Sequence, residues 1–433
     1  MKNKRVLFFN NMRLLLLFCT LTVHLTLWAG GAPDSIIDKA AVFARSDLAF
    51  PDALGGGAYA IGGGKDGRVL WVTSLADDGS EGTLRWALAQ PYPRIIQFRV
   101  GGTISLQSAL VITMDRVTID GSTAPGNGIT LKDGSLIIAN VYDVIIRHLR
   151  IRPGDEVTTR RGIWQKSNRT DVPHEAIHIE NSAFVMMDHC SLTWSLGSMI
   201  SIINSSFVTV QESLLAESLK DVRGSQETLI VSNGFEVSFI ENLFAFFQAV
   251  GMQFFSPGRF VIHAGILNNY VYAYGQAGIA FMMGNAPVAY NVQNNVFENP
   301  LAQNSVPIKL IPLAEHARNL PISDAKIYIS GNRGPMVSSS GVLDEWSLLF
   351  SGFTREITDS FRADTELFRT HLKDPLPVPA AQVPNRVINQ VGATLPVRDA
   401  IDTRIMNQVR LRRGGSIASQ SDVGGYLREA ETR

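Results

Sequence analysis

The sequence is poor in cysteine and carries no excess of either charge, and both features narrow the class of protein. It has two cysteines, Cys19 and Cys190. Cys19 lies in an N-terminal segment that we expect to be removed, so the mature chain should form no disulfide. Cys190 is expected to be a small, buried apolar residue. The formal net charge is zero, which argues against a general nucleic-acid binder, because such a protein carries a basic excess.

Long apolar runs are scarce too. One run, Leu14 to Trp28, follows the basic residues Lys2, Lys4, Arg5 and Arg13 and precedes a stretch of small residues. This layout predicts a secretory signal peptide in residues 1–30, because the run is short for a membrane span. An uncleaved N-terminal anchor is the alternative. We expect a secreted protein, periplasmic or extracellular, that does not contact the membrane after signal cleavage.

One short pattern occurs four times between residues 140 and 244. Each copy starts with an asparagine, and four residues later come two apolar residues with one residue between them; the asparagines are Asn140, Asn181, Asn204 and Asn233. Period-two alternation in such short runs predicts β-strands. Its recurrence after 23 and 29 residues in the last three copies predicts a parallel β-solenoid with coils about 4.8 Å apart and an asparagine ladder at one bend. A β-sandwich is the alternative, but it would need Asn-Gly or Asp-Gly hairpins, which do not join these strands.

The flanking regions complete the predicted fold. Residues 49–64 are glycine-rich, but a strand follows them rather than the helix that a phosphate-binding loop requires. Residues 82–89 predict a short amphipathic helix that caps the open end of the solenoid. The β-helix domain with this cap is predicted to span residues 34–335. Residues 336–433 are predicted to form a loop and helix tail that packs along the solenoid, with Pro375, Pro377, Pro379 and Pro384 in extended chain.

A polar insertion interrupts the coils from Pro153 to His174. It contains four basic residues, Arg160, Arg161, Lys166 and Arg169. Loops on a rigid scaffold often carry function, so this loop predicts contact with an anionic polymer, with Arg160 and Arg161 as candidate substrate-binding residues. A solvated run of charges is the alternative.

Several segments, in order along nearly the whole mature chain, resemble the pectate lyase family of secreted, right-handed parallel β-helices. They are Ala49-Phe-Pro51, Val72–Leu75 with Gly82–Arg85, Gly121–Gly128, Arg147–Glu156, Asp188–Trp194, Gly392–Arg404 and Ser419–Gly425. The resemblance implies an all-β, right-handed parallel β-helix. It also implies β-elimination of uronate polymers, in which a carboxylate-bound Ca²⁺ stabilises the developing enolate and an arginine removes the C5 proton.

The family's site residues match this sequence only in part. Glu175, Gly197 and Lys220 are separated by 22 and 23 residues, about one coil each, and should stack in one row. By resemblance, Glu175 stands where a calcium-binding aspartate is expected, and Gly197 stands where a second acid is expected. The third segment keeps Lys220 and Arg223. The fourth, residues 245–253, contains no arginine, and Arg259 is the nearest one after it.

Aromatic residues replace the missing arginine segment. Phe246, Phe247, Phe254 and Phe255 either stack on sugar rings or fill the coil interior, and Phe246 and Phe247 are our candidates for substrate binding. Asp188 and His189 look like a catalytic pair, but they fall on a coil strand, with His148 at the same place one copy earlier, so we expect a structural role. His174 and His178 are expected to face away from Glu175, which argues against a three-ligand metal site there.

The sequence thus supports three hypotheses. The first is a monomeric, secreted β-helix protein that binds pectate or a similar uronate polysaccharide, with a decayed lyase site and weak or lost Ca²⁺ binding. The alternative is an active polysaccharide lyase that uses Glu175 for the metal and Lys220, Arg223 or Arg259 as base. The third is a structural or adhesive surface protein that binds no saccharide.

Overall fold

The chain winds into a parallel β-solenoid. A computed structural model describes residues 45, 47–156, 175–219, 228–256, 262–284, 287–300, 305–313, 325–335, 344–368 and 378–427. The solenoid has about eight turns, which confirms the predicted fold class. None of the helices in these ranges is long and apolar enough to cross a membrane. The predicted signal peptide lies outside these ranges.

Three parallel sheets form the walls of the solenoid, and each coil passes through them in the order A, B, C. Sheet A consists of β1 (Arg68–Val72), β2 (Arg94–Phe98), β5 (Val117–Asp120), β8 (Tyr142–Arg147), β11 (Ala183–Asp188), β14 (Ser206–Gln211), β17 (Phe235–Ile240), β20 (Ile262–Leu267), β23 (Val288–Gln293) and β26 (Ala325–Ser330). Sheet B consists of β3 (Gly102–Ser105), β6 (Ile129–Lys132), β9 (Leu149–Arg152), β12 (Ser191–Thr193), β15 (Leu214–Ala216), β18 (Leu243–Ala245), β21 (Tyr270–Tyr272) and β24 (Val296–Glu298). Sheet C consists of β4 (Leu110–Ile112), β7 (Leu136–Ala139), β10 (Ile177–Glu180), β13 (Ile200–Ile203), β16 (Leu229–Ser232), β19 (Val250–Ser256), β22 (Ala277–Met283), β25 (Val306–Pro312) and β27 (Leu349–Ser351).

The asparagine at the start of each repeated copy lies at the bend between sheets C and A. Asn140, Asn181, Asn204 and Asn233 all have positive φ, between 48° and 57°, a conformation that asparagine tolerates better than most residues. The Asn181 side chain donates to Asn140 at 3.3 Å, and the Asn233 side chain donates to Asn204 at 2.9 Å. The predicted amide ladder is therefore present, as two hydrogen-bonded pairs.

A second, fully buried ladder lies at the bend between sheets A and B, and the sequence analysis missed it. Its members are Asn242, Asn269, Asn295 and Asn332, and each of the first three donates its backbone N–H to the side-chain oxygen of the next, at 2.9–3.0 Å. Cys190 occupies the same place in an earlier coil. It is fully buried, as predicted, and burial raises the pKa of its thiol to about 12.

The N-terminal region closes one end of the solenoid and crosses sheet A. Helix α1 (Leu84–Leu88) is capped by the Thr83 side chain, which confirms the predicted capping helix, and its buried side chains join the end of the core. The glycine-rich segment contains a 3₁₀ turn, Gly56–Tyr59. A Cβ at Gly57 would lie 2.4 Å from the Val185 carbonyl oxygen, so glycine permits close packing on sheet A there.

The C-terminal tail packs on the solenoid in two places: residues 344–361 join the end of the core, and residues 378–427 cover the outer face of sheet B. It contains helices α2 (Arg355–Ser360), α3 (Val383–Gln390) and α4 (Ala400–Arg410), with 3₁₀ turns at Glu345–Leu348, Ala380–Gln382 and Gln420–Val423. Apolar side chains of α3 and α4 cover Trp194, Leu214 and Leu243 of the solenoid. Two details differ from the prediction. Strand β27 pairs with β25, so the solenoid continues past residue 335, and Pro384 lies in the first turn of α3 rather than in extended chain.

Candidate functional site

The outer face of sheet C is the surface on which the sequence predicts the site. Strand pairing aligns one outward-facing residue per coil into a row that we call the outer row. Its members are Val111, Ile137, His178, Ser201, Ile230, Gln253, Ala280, Lys309 and Phe350. The residues on either side of His178 in β10 are fully buried isoleucines, as alternation along a strand requires. The outer row therefore follows the solenoid axis across many coils.

A hydrogen-bonded group on this face, the Glu175 network, joins Glu175, His178, Glu180, Ser198 and Ser201. Oε1 of Glu175 accepts from the Ser201 hydroxyl at 2.8 Å, and Oε2 lies 2.6 Å from Nδ1 of His178. The hydroxyls of Ser198 and Ser201 are 2.7 Å apart. Nε2 of His178 lies 3.5 Å from Glu180. Both carboxylate oxygens of Glu175 thus have partners within the protein.

The contact between His178 and Glu175 corrects a prediction. Strand alternation predicts that residues i and i+3 face opposite ways. Glu175, however, precedes β10 and lies in the bend before that strand, so alternation does not govern its direction. His174 lies outside the described residues.

Glu175 and His178 form a pair whose opposite charges balance each other. The hydrogen bond from Glu175 raises the pKa of His178, against the opposing effect of burial. The two side chains are 23% and 26% exposed, so they are reachable from solvent. A protonated imidazole next to a carboxylate forms a charge-assisted hydrogen bond, and the two charges neutralise each other.

The predicted row of Glu175, Gly197 and Lys220 is shifted by one residue. Ile177 pairs with Ile200, an offset of 23 residues, so Glu175 is level with Ser198 rather than with Gly197. Where a second carboxylate would support a metal ion, this face offers serine hydroxyls. Lys220 lies outside the described residues.

The described residues do not form a calcium site of the family type. Ca²⁺ takes six to eight oxygen ligands, with carboxylates prominent among them. Glu175 already accepts from Ser201 and lies against His178, and His178 separates it from Glu180. A calcium ion here would have to displace the imidazole from Glu175.

Phe246 and Phe247 do not present aromatic faces to solvent, and their predicted role in sugar binding is wrong. Phe246 is fully buried and packs edge-on against Tyr272, at 5.7 Å between ring centroids, beneath the C-terminal tail. Phe247 is 2% exposed and belongs to the solenoid core. Phe254 also fills the core, whereas Phe255 is half-buried and lies on the outer face of sheet C.

The remaining candidate residues lie outside the described ranges. They are Arg160, Arg161, Lys220, Arg223 and Arg259. Their segments adjoin sheet C along the chain, because residues 157–174 precede β10, residues 220–227 precede β16 and residues 257–261 follow β19. Their roles stay predictions.

No family model matches the chain, but individual proteins do. A protein described as a probable pectate lyase C from Emericella nidulans is 39% identical over 174 residues, which cover 40% of this chain and 37% of that protein. A protein with the same description from Aspergillus oryzae is 28% identical over 388 residues, covering 88% of this chain and 82% of that protein. The pectate lyase 2 of Ambrosia artemisiifolia is 30% identical over 257 residues, or 53% and 63% of the two chains.

The matches to the first relatives are partial in length. The aligned part of this chain spans 37% of the Emericella nidulans protein and 60% of a similar Aspergillus fumigatus protein. Among solved structures, the crystal structure of Jun a 1, the major allergen from cedar pollen, superposes with a TM-score of 0.56 at 17% identity. The superposition covers 78% of this chain and 92% of that one. At this level of identity the likeness concerns the fold alone.

Proposed function

Because this chain belongs to the pectate lyase family, we propose that it is a secreted protein that binds uronate-containing polysaccharide on the outer face of sheet C without cleaving it. The observation that carries the proposal is the Glu175 network. The carboxylate that the family resemblance assigns to calcium is engaged by Ser201 and His178. Its neighbours are serine hydroxyls and an imidazole, so the further carboxylates that a Ca²⁺ site needs are not assembled around it.

The described strands of sheet C also lack the arginine that the family resemblance assigns as the base for β-elimination. A base must remove the C5 proton while a positive charge stabilises the enolate. No arginine occurs in these nine strands, and the register places serine, isoleucine and glutamine on the three coils after His178. Serine and glutamine can donate hydrogen bonds and isoleucine can pack against a sugar ring, but none of the three is an effective base.

The same face has features that suit a linear acidic polymer. Lys309 belongs to the outer row, and its cationic group can pair with a uronate carboxylate. Half-buried apolar residues on earlier coils of this face, Ile230 and Phe255, offer surface to the C–H faces of sugar rings. The basic residues Arg160, Arg161 and Arg223, in segments next to these strands, would add further positive charge.

The test combines a cleavage assay with a binding assay on the purified mature protein. Polygalacturonate is incubated with the protein and Ca²⁺, then with a chelator, and ultraviolet absorbance is followed, because the unsaturated uronate formed by elimination absorbs and the intact polymer does not. Binding is measured by calorimetry under the same conditions. We expect a flat absorbance trace and binding that survives the chelator.

Charge removal on the outer row sharpens the test. Lys309→Gln should weaken binding by roughly three- to tenfold, as expected for losing one partly exposed ion pair. Arg355→Gln is the matched control, because Arg355 lies on α2 with its side chain 96% exposed. A calcium-dependent rise in absorbance would overturn the proposal in favour of the active lyase, and Glu175, Lys220, Arg223 and Arg259 would then be substituted in turn. A flat trace without binding would favour a structural surface protein.

A further inference from the structure

A group of titratable side chains outside sheet C lies at the bend between sheets A and B. Three successive strands of sheet A, β8, β11 and β14, are each followed by a residue whose φ is positive. These residues are His148 at 51°, His189 at 50° and Glu212 at 44°. Their predecessors pair in register, Arg147 with Asp188 and Asp188 with Gln211. The three side chains therefore lie at the same place in successive coils, and we call them, with Asp188, the bend cluster.

The bend cluster is unusual because the buried side chain of His148 has a ring nitrogen without a hydrogen-bond partner. Its side chain is nine-tenths or more buried, at 4% exposure, and its Nδ1 has no hydrogen-bond partner among the described residues. An unpaired buried polar atom costs free energy. The ring centroids of His148 and His189 are 5.0 Å apart. His148, Asp188 and His189 each offer one ligand atom, and these atoms lie within 4.8 Å of one another.

The carboxylate of this group is held in place by neighbours, as metal-binding carboxylates commonly are. Arg147 donates to one oxygen of Asp188 at 2.8 Å, and Gln211 donates to the other at 2.8 Å. The backbone N–H of Leu54 fixes Gln211 in turn, at 2.9 Å. Oδ1 of Asp188 also lies 3.0 Å from Nδ1 of His189, so the carboxylate and this imidazole are already in contact.

A fourth donor lies on the solvent side of the cluster. Glu212 is 3.6 Å from Nδ1 of His189, and the two side chains are each 18% exposed, which leaves a path for an ion to enter. The unpartnered Nδ1 of the buried His148 side chain is therefore a ring nitrogen available to such an ion.

We propose that His148, Asp188 and His189, with Glu212 as the fourth donor, bind one Zn²⁺ or a similar transition-metal ion. Two imidazoles with carboxylates form a tetrahedral donor set that suits zinc, at about 2.0–2.1 Å for Zn–N. Calcium prefers oxygen donors alone. Rotations of the two imidazoles bring the ligand atoms to the closer spacing that this geometry requires. Two arginines lie near the cluster, and each already forms a salt bridge: Arg147 pairs with Asp188, and Arg386 pairs with Glu241.

The experiment is a titration of the chelator-treated full protein at about pH 8, where histidine has lost its proton. Co²⁺ serves as the spectroscopic probe and Zn²⁺ as the competitor. We expect one equivalent of Co²⁺ with the visible absorption of a tetrahedral site, displaced by one equivalent of Zn²⁺, and a higher melting temperature in Zn²⁺. His148→Gln and His189→Gln should each weaken binding by roughly tenfold or more.

The controls separate this site from other histidines and from misfolding. His178→Gln, on sheet C, should leave the stoichiometry and the Co²⁺ spectrum unchanged. Glu212→Gln is the mild variant, because Glu212 is at the surface of the cluster, and it should weaken binding while circular dichroism shows the native fold. The proposal is overturned if the native protein binds no stoichiometric Co²⁺ or Zn²⁺, if the His148→Gln/His189→Gln double variant binds like the native protein, or if His178→Gln abolishes binding.

Discussion

Arg152 in strand β9 and Asp399 at the start of helix α4 form a buried salt bridge with 2.6 Å between Nη1 and Oδ2, across 247 residues of sequence. Asp402 accepts from the other terminal nitrogen of Arg152 at 2.7 Å. Arg150, also buried, donates to the carbonyl oxygens of Ala393 and Val397. These contacts pin the tail to sheet B, next to the apolar packing of α3 and α4.

Arg152→Met should therefore lower the free energy of unfolding strongly. It leaves Asp399 and Asp402 buried without their partner, and breaking a buried pair costs about 3–5 kcal/mol. Urea denaturation measures the loss. Arg362→Met is the matched control, because Arg362 and Asp344 form a pair with side chains 39% and 56% exposed, and such pairs contribute about 1 kcal/mol or less. Equal losses in the two variants would show that the buried pair does not hold the tail.

Asn269→Ala should cost more than the same change in the outer asparagine ladder. Asn269 is fully buried, accepts from the backbone N–H of Asn242 and donates to the carbonyl oxygen of Phe239. The alanine leaves both groups unpaired at about 1–3 kcal/mol each. Asn181→Ala is the control, since Asn181 makes an exposed side-chain bond, and it should cost less than about 1 kcal/mol. The melting temperatures of the two variants measure the difference. A lower melting temperature for Asn181→Ala than for Asn269→Ala would contradict the prediction.

Glu212 should make the protein less stable as pH rises from about 4.5 to about 7. Burial, aided by the negative charges of Asp188 and Glu241, raises its pKa from 4.5 to about 7. A carboxyl with a raised folded-state pKa contributes stability that is complete below pH 4.5 and is lost as pH rises through 7. Glu212→Gln should therefore raise the melting temperature at pH 8 and leave it nearly unchanged at pH 4, in buffer with chelator. A stabilisation equal at both values would assign the effect to packing rather than to charge.

Alanine variants of Phe246 and Phe255 should distinguish a role in core packing from a role in sugar binding. Phe246→Ala removes a fully buried ring beneath the tail and should cost about 3–5 kcal/mol of stability, with no loss of affinity for polygalacturonate in the fraction that stays folded. Phe255→Ala, on the outer face of sheet C, should weaken that binding by roughly two- to tenfold, as expected for one stacking contact. Denaturation and calorimetry measure the two quantities. Loss of affinity in the Phe246 variant alone would contradict the proposed binding face.

The repeats of the sequence determine the fold, whereas the site depends on details that a period does not contain. Alternation around Val144, Val185, Val208 and Val237 predicted inward-facing positions, and all four are fully buried in one register row. The buried asparagine ladder escaped notice because cysteine and serine occupy its earlier coils, at Cys190 and Ser213.

Site predictions failed where a residue lies at a bend. The side chain of Glu175 meets His178 because the strand rule does not apply before β10. Phe246 follows strand β18 with a φ of 60°, which turns its ring towards the tail. Sequence spacing finds such positions but not their direction, since one residue of left-handed backbone redirects the side chain.

The contacts of Arg150 and Arg152 also determine when the chain can finish folding. Coils contact their neighbours and can add one at a time as the chain emerges from the ribosome or the export channel. The two arginines of β9, however, acquire their carboxylate partners only when residues 399 and 402 arrive. A chain halted before then leaves sheet B uncovered, with two cations and an apolar stripe in water. The solenoid therefore reaches its full stability only after the tail has docked.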